Sequence, residues 1–315
     1  MRRLFASLLL LLPLAAFAKP LLTPAELSAQ LSNSELRVVD IRAGREKNGK
    51  SPFENGHIAG AQSAPYPAWR GPKDNPGLLL PVAQLTQVVQ GLGIDRDTPV
   101  VVVVEGTDHT DFGAAARVAW TLRAGGVKQV SILNGGMKAW RAAGLPLTTE
   151  VVDALPTPFE LKFDPRLLAT REEVLAIVSA PPAAGPRLLD ARPSEYFIGD
   201  EKHGAAKQPG TLAGAKNVDN SVWFKADSAE MLSPDEIRRI AAAQGVDTSQ
   251  PTVSFCNSGH WAATNWFVLS EVLGQPDVKL YPESMVGWSQ AGLPMANVPS
   301  RLRQFYLQIR TALAN

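Results

Sequence analysis

Apolar positions along this chain gather into short unbroken runs that alternate with longer stretches in which they recur every three or four residues. Residues 100–104 are five valines in succession. Such a run predicts a strand buried on both faces of a sheet, because β-branched side chains suit a pleated surface and no position is left for water. Val38-Val39-Asp40, Leu188-Leu189-Asp190 and Thr252-Val253-Ser254-Phe255 read as further short strands. Residues 263–273 read as a helix with Trp266, Phe267 and Val272 among its apolar positions. Strands that alternate with helices imply right-handed β-α-β crossovers, a mainly parallel sheet and the α/β class.

The pattern occurs twice, at an offset near 150 residues. Thr23-Pro24-Ala25-Glu26 and Thr170-Arg171-Glu172-Glu173 both have the form of a capping box that opens a helix. Asp40-Ile41-Arg42 matches Asp190-Ala191-Arg192, and Gly56-His57-Ile58-Ala59-Gly60-Ala61 matches Gly210-Thr211-Leu212-Ala213-Gly214-Ala215. Leu80-Pro81 and Ser233-Pro234 each place a proline where a helix begins. Trp140 with Gly144-Leu145-Pro146 matches Trp288 with Gly292-Leu293-Pro294. A period this long means duplicated domains rather than a solenoid. The expected organisation is a first domain over 20–150, a proline-punctuated linker over 151–165, a second domain over 166–299, and a closing helix over 300–315. The expected fold is two tandem α/β domains, each a mainly parallel sheet flanked by helices.

Residues 1–18 stand apart. Met1-Arg2-Arg3 is a basic start, residues 4–16 are apolar, and Ala16-Phe17-Ala18 puts small residues where a signal peptidase reads. The apolar run is short of the about 20 residues a membrane span needs. Cleavage before Lys19 and a periplasmic protein with no membrane attachment are expected. With 31 basic and 30 acidic residues the chain lacks the surplus of positive charge usual in a nucleic-acid binder, and none is expected as partner. One cysteine and four histidines leave no cysteine-rich metal site. Oxidising compartments use cysteines in pairs, so the unpaired Cys256 is either inert in a core or free because its reactivity is used.

Its position favours use. Cys256 ends a predicted parallel strand and begins the loop Cys256-Asn257-Ser258-Gly259-His260-Trp261-Ala262, which runs into a helix. Open α/β sheets place their sites at such strand ends. The free amides of the loop and first helical turn make a concave anion site, which favours a thiolate nucleophile. The duplicated halves, the paired D-x-R strand ends, the two G-x-x-x-G-A segments and a C-x-x-G-x-x-A loop together resemble the two-domain rhodanese (thiosulfate/3-mercaptopyruvate sulfurtransferase) family over about residues 20–299. The resemblance implies that Cys256 takes a sulfane sulfur from a small anionic donor as a persulfide. It implies transfer to cyanide or a thiol, with Asn257, Ser258, Gly259, His260, Trp261 and Ala262 cradling the sulfur and no cofactor or metal. The first half, with Gly106-Thr107-Asp108-His109-Thr110-Asp111 after its central strand and no cysteine, resembles the family's non-catalytic domain.

Departures from the family bear on specificity. Asn257 and Ser258 stand where thiosulfate-preferring members often carry basic residues. Tyr196 stands where an arginine often contacts the donor, and the segment Glu283-Ser284-Met285-Val286-Gly287-Trp288 keeps one of two usual tryptophans. An anionic donor still needs positive charge nearby. His260 is the nearest candidate cation, Arg70 and Lys73 are candidates from the first domain, and Lys202, His203 and Lys207 sit on a long loop before Gly210. Trp261 is placed to wall the pocket. Asp40–Arg42 and Asp190–Arg192 recur in a half without chemistry and are expected to be structural. Asp108, His109 and Asp111 read as a solvated loop rather than a metal site. A rhodanese-like phosphatase would need an arginine where Ala262 stands, to grip a phosphoryl group bidentately. A sulfur carrier that discharges only onto a partner protein is the other function open to the same loop.

Overall fold

The computed structural model describes residues 19–180, 185–300 and 302–303; the expected export signal over 1–18 and most of the expected helix over 300–315 lie outside them. The first sheet holds β1 (Leu21–Leu22), β2 (Arg37–Asp40), β3 (Gln62–Ser63), β4 (Pro99–Val103) and β5 (Gln129–Leu133), in the order β1-β5-β4-β2-β3. The second holds β6 (Arg187–Asp190), β7 (Lys216–Asn217), β8 (Thr252–Phe255) and β9 (Val278–Leu280), in the order β7-β6-β8-β9. Every pairing between named strands is parallel. β4 and β8 have neighbours on both sides, and the valines at 100–104 are buried throughout.

Local chemistry sets the helix starts. Thr23 and Thr170 each accept a hydrogen bond from the amide three residues on, and the carboxylates of Glu26 and Glu173 accept one in turn from the cap amide. Ser233 caps the helix Pro234–Ala243 in the same way, with proline in its first turn. Pro81 is itself the N-cap of the helix Val82–Gly91 rather than its first residue. Residues 263–273 depart from the single helix expected. An α-helix, Trp261–Trp266, gives way to a π-helical turn, Phe267–Val272, that ends with the Leu273 amide on the Val268 carbonyl. The wider turn lets Phe267, Val268 and Leu269 all reach the interior, and each is fully buried.

The repeated D-x-R strand ends have one job in both halves. Arg42 grips Asp40 at 2.7 Å and donates to the Gly56 carbonyl at 2.8 Å; Arg192 grips Asp190 at 2.6 Å and donates to Gly210 at 2.9 Å. Each pair ties a strand end to the glycine that opens the next repeated segment. These charges are buried but paired and hydrogen-bonded, the form in which buried charge is tolerated.

One apolar core crosses between the two halves. It joins Val102, Phe112, Ala116 and Trp120 of the first to Trp223, Ala262, Trp266 and Phe267 of the second. The helix His109–Ala124 is buried nearly all round, because it has the first sheet on one side and the helix Trp261–Trp266 on the other. Its alanines at 114, 115, 116 and 119 allow that close approach. The loop carrying Cys256 therefore lies at the seam between the two domains.

Candidate active site

Cys256 follows β8 and is 1% exposed. Ser284 holds the loop from below. Its hydroxyl donates to the Tyr281 carbonyl at 2.8 Å and accepts from the amides of Cys256 at 3.0 Å and Gly259 at 3.1 Å. Ser284 has φ +50°, a left-handed conformation that favours glycine, and is fully buried. Its counterpart in the repeat, Gly136, has φ +58°. The second half has thus put a hydroxyl where the first has a glycine, at some cost in backbone strain. Comparing Gly136 with Ser284 in the repeat would have exposed this residue; the motif reading passed over it.

Gly259, at φ +66°, lets the loop turn beneath the Arg117 guanidinium; a Cβ there would run into Arg117 and into the Pro282 backbone. Once the Cys256 and Gly259 amides are satisfied by Ser284, those of Asn257, Ser258, His260, Trp261 and Ala262 meet no protein acceptor among the described residues. Backbone donors left open at a strand-loop-helix corner form an anion-binding concavity.

The first domain lays positive charge over this loop. Arg70 donates to the Ser258 carbonyl at 2.9 Å and to its hydroxyl at 3.1 Å. Arg117, fully buried in the helix His109–Ala124, donates to the carbonyls of Gly259 at 3.1 Å, Gly77 at 3.3 Å and Ser258 at 3.5 Å. Among the described residues neither arginine has a carboxylate partner, and Arg70 Nη1 and Arg117 Nε are buried without an acceptor. Burial, with Arg70 beside it, pulls the pKa of Arg117 down to about 9, so it stays a cation at neutral pH. Arg70 had been singled out in the sequence; Arg117 had not, since it looks like one more polar position in an alanine-rich helix.

His260 is not the cation expected. Its Nε2 lies 2.7 Å from the Thr110 carbonyl and its Nδ1 2.8 Å from the Tyr66 hydroxyl. Burial, with Arg70 next, drives its pKa down to about 3, which leaves a neutral ring. Half-buried, the ring docks on the first domain through both nitrogens. The cations that reach the loop are instead Arg70 and Arg117.

The remaining expected residues divide. Asn257 accepts from Arg192 at 3.2 Å and so joins the structural D-x-R pair. Trp261 donates to Thr110 Oγ1 at 3.2 Å, and the edge of the Tyr196 ring meets it at 5.9 Å, so these two stand together beside the loop. Ala262 is buried in the core. Lys73 is exposed, and Lys202 and Lys207 donate to the carbonyls of Ala206 and Gln290 on their own surface. Burial, with Arg70 nearby, lowers the pKa of His203.

The matching place in the first domain is closed to anions. The Asp111 carboxylate takes the amides of Gly106 at 2.6 Å and Thr107 at 3.2 Å, which fills the amide nest from within. Asp108 caps the following helix through the Asp111 amide, so these carboxylates serve the backbone. Among the described residues no three His, Cys, Asp or Glu side chains converge as metal ligands, and no helix is long and apolar enough to cross a membrane.

Comparison with known proteins follows the same division. The model of the rhodanese-like domain matches twice, over 23–143 and 170–291. Thiosulfate sulfurtransferase of Gallus gallus is 31% identical over 84% of this chain and 89% of that protein. The sulfur carrier protein TtuD of Thermus thermophilus is 29% identical over 78% of this chain and 86% of that protein. The crystal structure of SseA from Escherichia coli, one of the 3-mercaptopyruvate sulfotransferases, aligns with a TM-score of 0.70 at 26% identity, over 84% of this chain and 98% of that one. With two domain matches that together take in most of its length, this chain belongs to the rhodanese family.

Proposed function

We propose that this protein is a sulfurtransferase that moves a sulfane sulfur, through a persulfide on Cys256, from thiosulfate or a related anionic donor to cyanide or a thiol. One observation carries the reading: Cys256 opens a loop whose five amides at 257, 258 and 260–262 meet no acceptor among the described residues, beneath two guanidinium groups that have no carboxylate partner among them. That is a site built for an anion with a nucleophile at its edge. The Cys256 thiolate attacks the outer sulfur of thiosulfate. The donor's sulfur–sulfur bond breaks, and sulfite leaves with its electron pair. The open amides and Arg117 stabilise the persulfide anion, which needs no rearrangement of the site as charge develops. Cyanide carbon or a thiolate then attacks the terminal sulfur, and Cys256 departs as thiolate, which closes a ping-pong cycle.

Thiocyanate formation from thiosulfate and cyanide tests this, together with the intact mass of the chain after thiosulfate alone. Gain of one sulfur atom, lost on adding cyanide and absent from Cys256→Ser, is the expected result; no gain from thiosulfate or mercaptopyruvate refutes it. The absence of basic side chains at Asn257 and Ser258, with the similarity to TtuD, favours a second reading, a carrier that discharges only onto a partner protein. Loading without release of thiocyanate would select it. Residues 1–18 are read as an export signal, which puts the mature chain in the periplasm; N-terminal sequencing of the periplasmic protein should then begin at Lys19.

A further inference from the structure

The sulfur-bearing loop touches the first domain through a residue whose chemistry is otherwise unused. His260 reaches across the domain seam into a notch on the helix His109–Ala124. Gly113 makes the notch, since a Cβ there would lie 2.9 Å from His260 Nε2. Thr110 offers only a carbonyl to Nε2, so Nε2 carries the ring's proton and Nδ1 is the acceptor. The Tyr66 hydroxyl, 2.8 Å away, donates to it. Next to it in sequence, Trp261 Nε1 donates to Thr110 Oγ1. The ring is thus held at both nitrogens by one domain while its own amide belongs to the open cradle of the other.

We propose that Tyr66 and His260 form an interdomain clasp that positions the sulfur-accepting loop against the first domain's guanidinium groups. The inference rests on the persulfide reading and adds positioning residues to it. The argument is geometric. The amides of His260, Trp261 and Ala262 follow the His260 backbone, and side-chain bonds to Tyr66 and Thr110 fix that backbone. Arg70 and Arg117 bind upstream, at Ser258 and Gly259. The downstream half of the cradle is therefore placed by the clasp, and the donor's charge is met by the arginines. Loss of the clasp leaves donor binding largely in place and misaligns the amides that receive the sulfur. The neutral imidazole neither gives nor takes a proton in the cycle; Arg70, Arg117, Asp108 and Tyr66 are the titratable groups around it.

The test measures sulfur loading by intact mass against thiosulfate concentration in the full mature chain and in Tyr66→Phe, His260→Ala and His260→Gln, with thermal melts of each. Glutamine keeps a donor and an acceptor; alanine keeps neither. Tyr66→Phe and His260→Ala should lower the maximal loading rate about tenfold or more and change the half-saturating thiosulfate concentration less than threefold. His260→Gln should recover most of the rate. Unchanged loading in the first two variants overturns the clasp, as does a rate loss that tracks the melting temperature and is not rescued by glutamine. A wild-type chain that takes up no sulfur refutes the underlying persulfide reading instead.

Discussion

Arg117→Met separates the two tasks the structure assigns to that side chain. The guanidinium is fully buried, has no carboxylate partner among the described residues and binds the carbonyls of Gly259 and Gly77. Removing it deprives those carbonyls of a charged donor, at about 1.5–3 kcal/mol each. It also removes the desolvation cost of a buried cation, which offsets that loss in part. The melting temperature should therefore fall by several degrees while the chain stays folded. Donor capture has no such offset. A charge-assisted hydrogen bond is worth about 1.5–3 kcal/mol, and a factor of ten is about 1.4 kcal/mol. Loading by thiosulfate at low concentration should therefore slow about 10- to 100-fold. Because Arg117 is buried, the deficit should persist in high salt, where an exposed charge would be screened. Alkylation of Cys256 by the uncharged reagent iodoacetamide, in which iodide leaves, should slow much less. Equal slowing of alkylation and of thiosulfate loading, or no loss with thiosulfate, would refute the assignment of Arg117 to anion recognition.

Cys256→Ser should abolish sulfur loading while its melting curve stays close to wild type, since one small side chain replaces another in the same loop. Ser284→Ala strands two buried amides and should cost about 2–4 kcal/mol in urea melts; Ser284→Gly loses the same bonds but suits φ +50°, and should be about 1 kcal/mol less damaging. His260 has a folded pKa of about 3 against an ordinary 6.5, so between those values the unfolded chain binds a proton that the folded chain does not. Its contribution to stability is present above pH 6.5 and lost towards pH 3, at about 1.4 kcal/mol per pH unit. Urea melts from pH 7 to pH 4 should show this slope in wild type and a shallower one in His260→Gln; equal slopes would mean that the ring is charged in the folded protein.

What could be read in the sequence was what lies close together along the chain. The strands, the capping boxes and the Cys256 loop each depend on a few consecutive residues, and the second copy of the pattern doubled the signal. Repetition also pointed to a backbone role for Asp190 and Arg192, because the same pair stands in the half without a nucleophile, and the bonds to Gly56 and Gly210 fit that role. The site itself is put together across the domain seam, and seam contacts have no local signature. His260 looked cationic because an isolated imidazole titrates near neutrality; docking on Thr110 and Tyr66 beside two guanidinium groups reverses that. Arg117 looked like part of a helix surface because its helix has no surface only after the second domain packs on it. The duplication explains both errors. In the first domain Asp111 fills the amide nest that the second leaves open, while Arg70 and Arg117 of the first domain bind the loop of the second. Neither domain is therefore complete alone: a second domain cut free would expose the core it shares with the first, and would lose both the Tyr66 and Thr110 bonds that place the downstream amides and the guanidinium groups that reach the loop.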